Sequence, residues 1–224
     1  MNKDIRLYLA QRYIKGFGIE IGALHSPFPV PAGAKVRYVD RLPVSQLRLQ
    51  YPELRNDLLV DVDIIDNGEI LETIESTSLD FVIANHFLEH CENPIGAIKT
   101  FLRVLKKKGI VYLSVPDKRF TFDNNRPITK LDHIRKDFNE GPDWSRSEHF
   151  REWRILVTKK FKDDPDRNLS TLKNEKYSIH FHVWTYFEVL ELMIFLKRSF
   201  NFKFEVREFI FIGNQAIFIL EKTE

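Results

Sequence analysis

The sequence predicts a doubly wound α/β domain whose mostly parallel, seven-stranded sheet is closed by a C-terminal antiparallel hairpin. Three observations carry that expectation. Short apolar, strand-like runs alternate with segments of helical spacing from Ile19 onward. Leu79 to Val115 reads as one strand, helix, strand unit, and a Gly213-Asn214 turn separates two strand-like runs near the end.

The first strand ends at Ile19-Glu20-Ile21-Gly22 and the second at Val36-Arg37-Tyr38-Val39-Asp40, both read as buried parallel strands. Pro27, Pro29 and Pro31 lie between them and forbid a regular helix, so the first crossover is abbreviated. Val44 to Leu54 suits a helix, Leu58 to Asp63 a third strand and Leu79 to Asn85 a fourth. Asn93 caps the next helix and Pro94 is its first residue. Ile95, Ile98, Phe101, Leu102 and Leu105 then recur at helical spacing until Lys106-Lys107-Lys108-Gly109, read as a solvated helix end. Ile110 to Val115 is the fifth strand, stopped by Pro116.

From Asp117 to Val183 the alternation dissolves into a charged, aromatic-bearing stretch, read as a partly helical insertion within a single domain covering residues 1–224. Order returns at Thr185, a helix cap with Glu188 as its capping-box partner; that helix stops near Arg198. Phe202, Phe204 and Val206 alternate with Lys203, Glu205 and Arg207, and Ala216 to Leu220 forms the return strand.

Composition narrows the function. The chain has 224 residues, 43% hydrophobic and 29% charged, which is enough for one sizeable core. Its 34 basic and 32 acidic residues leave a net charge of +2, so no global field favours nucleic acid or an anionic membrane, and a small or neutral substrate is expected. No apolar run approaches the roughly 20 residues that span a bilayer. The lone Cys91 excludes an intrachain disulfide, and Met1-Asn2-Lys3-Asp4 carries no apolar signal segment; a cytoplasmic protein is expected.

In open α/β sheets ligands bind beyond the carboxyl ends of the strands. Glu20, Gly22, Asp40, Asp63, Asn85, His86 and Asp117 fall there. A strand-end acid about twenty residues after a glycine turn suits a nucleoside, because the carboxylate accepts both ribose hydroxyls while the glycine admits backbone to the ligand. Asp40 fills the first role and Gly22 the second. Strand-end acids also often simply cap the next helix.

The blocks Gly18 to Gly22, Val36 to Asp40, Leu79-Asp80-Phe81-Val82-Ile83-Ala84-Asn85-His86-Phe87-Leu88-Glu89-His90 and Leu105 to Gly109 resemble class I S-adenosylmethionine-dependent methyltransferases, over about residues 16–117 and the closing hairpin. The resemblance implies a Rossmann-like fold with S-adenosylmethionine as methyl donor. It implies Glu20 and Gly22 beside the methionine moiety, Asp40 on the ribose, Asp63 and Ile64 flanking the adenine, and Asn85 and His86 at the sulfonium end. The chain departs from the pattern in having Ala23, Leu24 and His25 where many members carry further glycines; Asp61 and Asp66 are rivals to Asp63.

Val115 to Asp123, Arg126-Pro127 and His180 to Thr185 resemble a subgroup linked to cell-surface polysaccharide biosynthesis. That implies a small-molecule or glycan-linked hydroxyl acceptor, with the insertion as a substrate cap. A hydroxyl acceptor calls for a general base. His182 and His180 are the first candidates and His90 the next. Asp117, Arg119, Asp123 and Arg126 are candidates for binding sugar hydroxyls or phosphate, or else a salt-bridge network tying the insertion to the sheet. Trp144, Trp153 and Trp184 suit either sugar stacking or the core. His180 and His182 alternate on one side of an extended segment, but no third ligand is identifiable, so no metal is assigned. A non-catalytic scaffold and a nucleotide-binding oxidoreductase or sugar-modifying enzyme are the alternative readings.

Overall fold

The computed structural model describes residues 2–158, 169–174 and 177–224. The sheet order is β3-β2-β1-β4-β5-β7-β6. Strands β1 (Gly16–Ile21), β2 (Ala34–Asp40), β3 (Ile64–Ile65), β4 (Leu79–Asn85) and β5 (Leu105–Pro116) run parallel. β7 (Gln215–Lys222) pairs antiparallel with β5, and β6 (Phe204–Ile212) antiparallel with β7. The expected seven-stranded, mostly parallel sheet with its terminal hairpin is what the chain forms.

Alternate residues of the central strands enter two cores. Val82, Ala84, Val111 and Leu113 face the larger one, shared with Phe101 and Val104 of α3 (Pro94–Val104) and Leu192, Met193 and Leu196 of α7 (Tyr186–Ser199). Phe81, Ile83 and Tyr112 face the other, covered by Leu9 and Ala10 of α1 (Asn2–Tyr13) and by Phe28 of the proline-rich crossover. Gly18 is needed where β1 meets β4: a Cβ there would stand 2.2 Å from the Phe81 carbonyl oxygen.

The caps read from the sequence are present. Asn93 accepts from the Gly96 amide at the start of α3, and Thr185 with Glu188 forms a complete capping box at α7. Three local expectations need correction. The third strand is β3 at Ile64–Ile65, not Leu58 to Asp63; Leu58 is 89% exposed and has no core to enter. Helix α2 (Val44–Gln50) stops before Pro52, whose ring cannot continue it, and a 3₁₀ turn follows at Pro52–Leu54. Lys106 to Lys108 is not a helix end: α3 stops at Val104, and the lysines bulge within β5, where Lys106 Nζ pairs with Asp80 at 2.8 Å.

The insertion contains α4 (Leu131–Glu140), α5 (Asp143–Trp153), a π-helical turn at Arg154–Thr158 and α6 (Leu169–Asn174); its residues 159–168 and 175–176 lie outside the described residues. Phe150, Leu169, Ile179 and Phe181 form a small core of its own. The N-terminal helix α1, unexpected from sequence, covers the second face.

Candidate active site

A cleft of about 320 Å³ opens at the carboxyl ends of β1 and β4, where the sheet order turns from β2 to β4 across β1. Arg6, Glu20, Gly22, Asn85, His86 and Gln215 line it. The proline-rich crossover folds back so that the Phe28 amide donates to both Glu20 carboxylate oxygens, at 3.0 and 2.9 Å. Burial pushes the Glu20 carboxyl up to about 7, against that amide and the nearby Arg6 charge.

Gly22 has φ of +65° and donates its amide to the Val39 carbonyl at 2.9 Å. No atom lies within 4 Å of where its Cβ would be, so bare backbone faces open space. Arg6 reaches in from α1. Its Nε and Nη2 are buried without a hydrogen-bond partner, and its guanidinium stands 5.2 Å from the Phe28 ring centre. Arg6 is half-buried, and two buried guanidinium nitrogens without a hydrogen-bond partner make a place for an anion.

Asp40 ends β2 next to Val39; its carboxylate accepts from the Arg41 amide at 2.7 Å, and burial raises its pKa. Asp63 spends a carboxylate oxygen on the Tyr38 amide at 2.7 Å, fastening the chain before β3 to β2. Asp66, its sequence rival, is taken by the Asn67 amide and by the amide and hydroxyl of Thr73. Ile64 pairs with Val39 across the sheet edge. Asn85 accepts from the Ser114 hydroxyl.

His86 has φ of +51°, a conformation that aims it away from the strand path and into the cleft. Its Nε2 lies 2.9 Å from Gln215 Oε1 and its Nδ1 3.5 Å from Glu89 Oε1. Burial disfavours the imidazolium, but the Glu89 carboxylate outweighs it and the His86 pKa is raised. Behind Glu89, His90 and His180 bring ligand-type atoms within 4.8 Å of its carboxylate and of each other. His90 Nδ1 lies 3.0 Å from the Ile179 carbonyl, and burial lowers its pKa to about 4. His180 Nδ1 donates to Asp123 Oδ2 at 2.6 Å. Titratable groups therefore run inward from the cleft in the order His86, Glu89, His180, Asp123.

The four polar residues assigned to the acceptor fall differently. Arg126 and Asp123 are buried and committed: Arg126 donates to Asp123 at 2.9 Å, to Glu152 at 2.7 Å and to the carbonyls of His180 and Phe181 at 2.6 and 3.3 Å. They form a network inside the insertion, not one that ties the insertion to the sheet. Asp117 is also buried and accepts from the Tyr186 amide at the start of α7, while holding Arg119 at 2.7 Å. Only the Arg119 side chain of this group is substantially exposed.

His180 and His182 do not share a site. His182 is fully buried and turns the other way, stacked on Trp184 at 5.8 Å with its Nε2 3.6 Å from Asp137 Oδ2. His133 and His149 surround the same point, and burial lowers the pKa of His149 to about 3. Trp184 belongs to the core, whereas Trp144 is exposed, with Lys136 Nζ 4.1 Å above its ring. Sequence reasoning missed Arg6, Gln215, His133, Asp137 and His149. The four-residue spacing of His133 and Asp137 was a usable signal, since it sets both on one helix face; nothing in α1 singled out Arg6.

A family model described as a methyltransferase domain matches residues 17–160. Among solved structures, the chain is similar to the PH0226 protein from Pyrococcus horikoshii, at 16% identity and TM-score 0.55, covering 99% of this chain and 89% of that one. A SAM dependent methyltransferase from Aquifex aeolicus matches at 9% identity and TM-score 0.51, covering 97% and 89%. The N-methyltransferase NodS from Bradyrhizobium japonicum matches at 10% identity and TM-score 0.51, covering 100% and 95%. At such identities these likenesses speak for the fold alone. No curated protein matches the chain.

Proposed function

The chain belongs to the methyltransferase-domain family, and from that membership we propose that it methylates a hydroxyl oxygen of a small-molecule or glycan-linked acceptor, in a polysaccharide-building setting. In this reading the methyl donor of the methyltransferase domain is S-adenosylmethionine. S-adenosylmethionine supplies an electrophilic methyl group on a sulfonium, so the protein's work is alignment and proton removal.

The residues lining the cleft, with Asp40, Asp63 and Ile64 beyond its lining around β2 and β3, suit that donor. Arg6 has buried, unpartnered donors for the amino-acid carboxylate, and Glu20 stands opposite for its ammonium. Gly22 leaves backbone bare beside them, and Asp40 on the next strand takes the ribose hydroxyls. Asp63 and Ile64 flank the adenine from the sheet edge. Asn85 and His86 close the sulfonium end.

The observation that carries the hydroxyl acceptor is His86, an imidazole that lines the cleft with the buried Glu89 carboxylate 3.5 Å behind it. A hydroxyl gains nucleophilicity as its proton leaves, and neutral His86 takes that proton while Glu89 stabilises the imidazolium formed. His180, with Asp123 behind it, and His90 support Glu89 from the inner side. His182 is turned away from this line, so the base role moves from it to His86. The insertion acts as a cap over the acceptor, with Arg119 its exposed cationic contact. A cytoplasmic setting belongs to the same proposal, supported by the buried lone thiol of Cys91. None of the described helices is long and apolar enough to cross a membrane.

The test is methylation of a panel of glycans and nucleotide sugars, with the methylated atom located by mass spectrometry and NMR. A methyl ether is expected; a product methylated on nitrogen or carbon would overturn the hydroxyl reading. Titration with S-adenosylhomocysteine examines the donor half separately. Micromolar affinity, about −8 kcal/mol, is expected, weakened at least tenfold in Asp40→Ala; unchanged affinity would remove Asp40 from the ribose role.

A further inference from the structure

Helix α4 presents His133 and Asp137 one turn apart, α5 brings His149 against them, and the extended segment before α7 adds His182. His133 Nε2 lies 3.0 Å from His149 Nε2 and 3.3 Å from Asp137 Oδ2; His182 Nε2 lies 3.6 Å from that same oxygen. The cluster's ligand atoms all lie within 4.8 Å of one another. A tetrahedral zinc ion with bonds of about 2.0 to 2.1 Å holds its ligand atoms about 3.3 Å apart. The three short separations bracket that value.

Ordinary hydrogen bonding leaves this cluster poorly explained. His133 and His149 can share one hydrogen bond between their Nε2 atoms. Asp137 is fully buried; its Oδ1 accepts from the Ser145 hydroxyl at 2.9 Å and the Trp144 side chain also bonds its carboxylate, but its Oδ2 has no hydrogen-bond partner of good geometry. A buried carboxylate oxygen facing the Nε2 atoms of His133 and His182 needs a cation or a proton at the point on which they converge. Outside the cluster, His182 Nε2 lies 3.4 Å from the Glu92 carbonyl, a weak contact. Its Nδ1 is unpartnered, and stacking on Trp184 orients the ring instead.

We propose that His133, His149 and His182 through Nε2, and Asp137 through Oδ2, bind a divalent transition-metal ion of the zinc type. Three imidazoles and one carboxylate suit Zn²⁺ or Co²⁺ and do not suit Mg²⁺, which prefers an all-oxygen shell. Four protein ligands leave no open position, so the ion is a structural clasp. It joins α4 and α5 to the segment whose Phe181 and His182 amides donate to the Glu89 carbonyl at 2.8 and 3.3 Å. Through Glu89 the clasp sets the wall behind His86. The site rests on none of the methyl-transfer reading.

The experiment is metal analysis of the full-length, tag-free protein, purified without chelator and dialysed. One zinc per chain is expected. Removal with a strong chelator should lower the melting temperature, and stoichiometric Co²⁺ should restore it with the intense visible absorption of four-coordinate cobalt. His133, the most exposed ligand, gives a variant that should keep its fold: His133→Ala should bind Co²⁺ at least tenfold more weakly, with an unchanged far-ultraviolet spectrum. A folded wild-type protein that contains no zinc and takes up neither Zn²⁺ nor Co²⁺ would overturn the proposal. So would a His133→Ala,His149→Ala variant that retains one metal per chain with the wild-type cobalt spectrum. The wild-type result decides even where a variant fails to fold.

Discussion

His86 Nδ1 stands 3.5 Å from Glu89 Oε1, an ion pair across one turn that joins the cleft to the buried side of the 3₁₀ turn at Leu88–His90. The carboxylate lifts the imidazole pKa above its ordinary value despite burial. A base must be neutral to accept a proton, so kcat should rise with pH through a single ionisation above the usual histidine value. His86→Gln should lose that ionisation and about 10²–10⁴ in kcat, a loss far larger than any change in S-adenosylhomocysteine affinity. A wild-type pH profile in the variant would remove His86 from proton transfer.

Glu20 couples stability to donor binding. Its carboxyl titrates near 7 when folded, against an ordinary value of 4.5. The folded state therefore binds the proton more tightly than the unfolded chain, and this favourable contribution, complete below about pH 4.5, is lost as pH rises through 7. Glu20→Gln keeps an acceptor for the Phe28 amide and avoids a buried charge. At pH 8 it should be more stable than the wild type by up to about 3 kcal/mol, read as a higher melting temperature, and it should bind S-adenosylhomocysteine more weakly. A variant less stable at pH 8 would contradict the desolvation account.

Arg6 makes the opposite test, since its buried Nε and Nη2 have no protein partner to lose. Arg6→Ala removes two unsatisfied buried donors together with the contact over the Phe28 ring, so the free protein should stay folded while S-adenosylhomocysteine binds about 10- to 100-fold more weakly, the worth of about 1.5–3 kcal/mol in charge-assisted hydrogen bonds. Equal affinity in calorimetry would mean that the ligand carboxylate lies elsewhere.

Gly18→Ala probes the sheet. A Cβ 2.2 Å from the Phe81 carbonyl oxygen cannot be accommodated without prising β1 from β4, whose backbones carry the cleft. The expected cost is about 3 kcal/mol or more, read as a lower denaturant midpoint. Gly22→Ala should cost less, through its φ of +65° alone, because nothing lies within 4 Å of the new methyl group.

Local chemistry made much of the architecture legible before any coordinates. β4 from Leu79 to Asn85, the Asn93 and Thr185 caps and the hairpin about Gly213-Asn214 all follow from short-range rules, because apolar periodicity, proline geometry and capping hydroxyls act within a few residues. Glu20, Gly22 and His86 were readable for the same reason: a strand-end position is a local property that the sheet converts into a shared edge. Long-range contacts settled the rest. The lysine run after α3 joined β5 because Asp80 and the β4 register were there to receive it. His180 and His182, two residues apart, were sent to different clusters because their partners, Asp123 on one side and Asp137, His133 and His149 on the other, arrive from separate parts of the insertion. Arg6 meets the cleft only because α1 packs beneath Phe28. Spacing along a chain reports which face a side chain takes, while the charge that waits opposite depends on packing between segments distant in sequence.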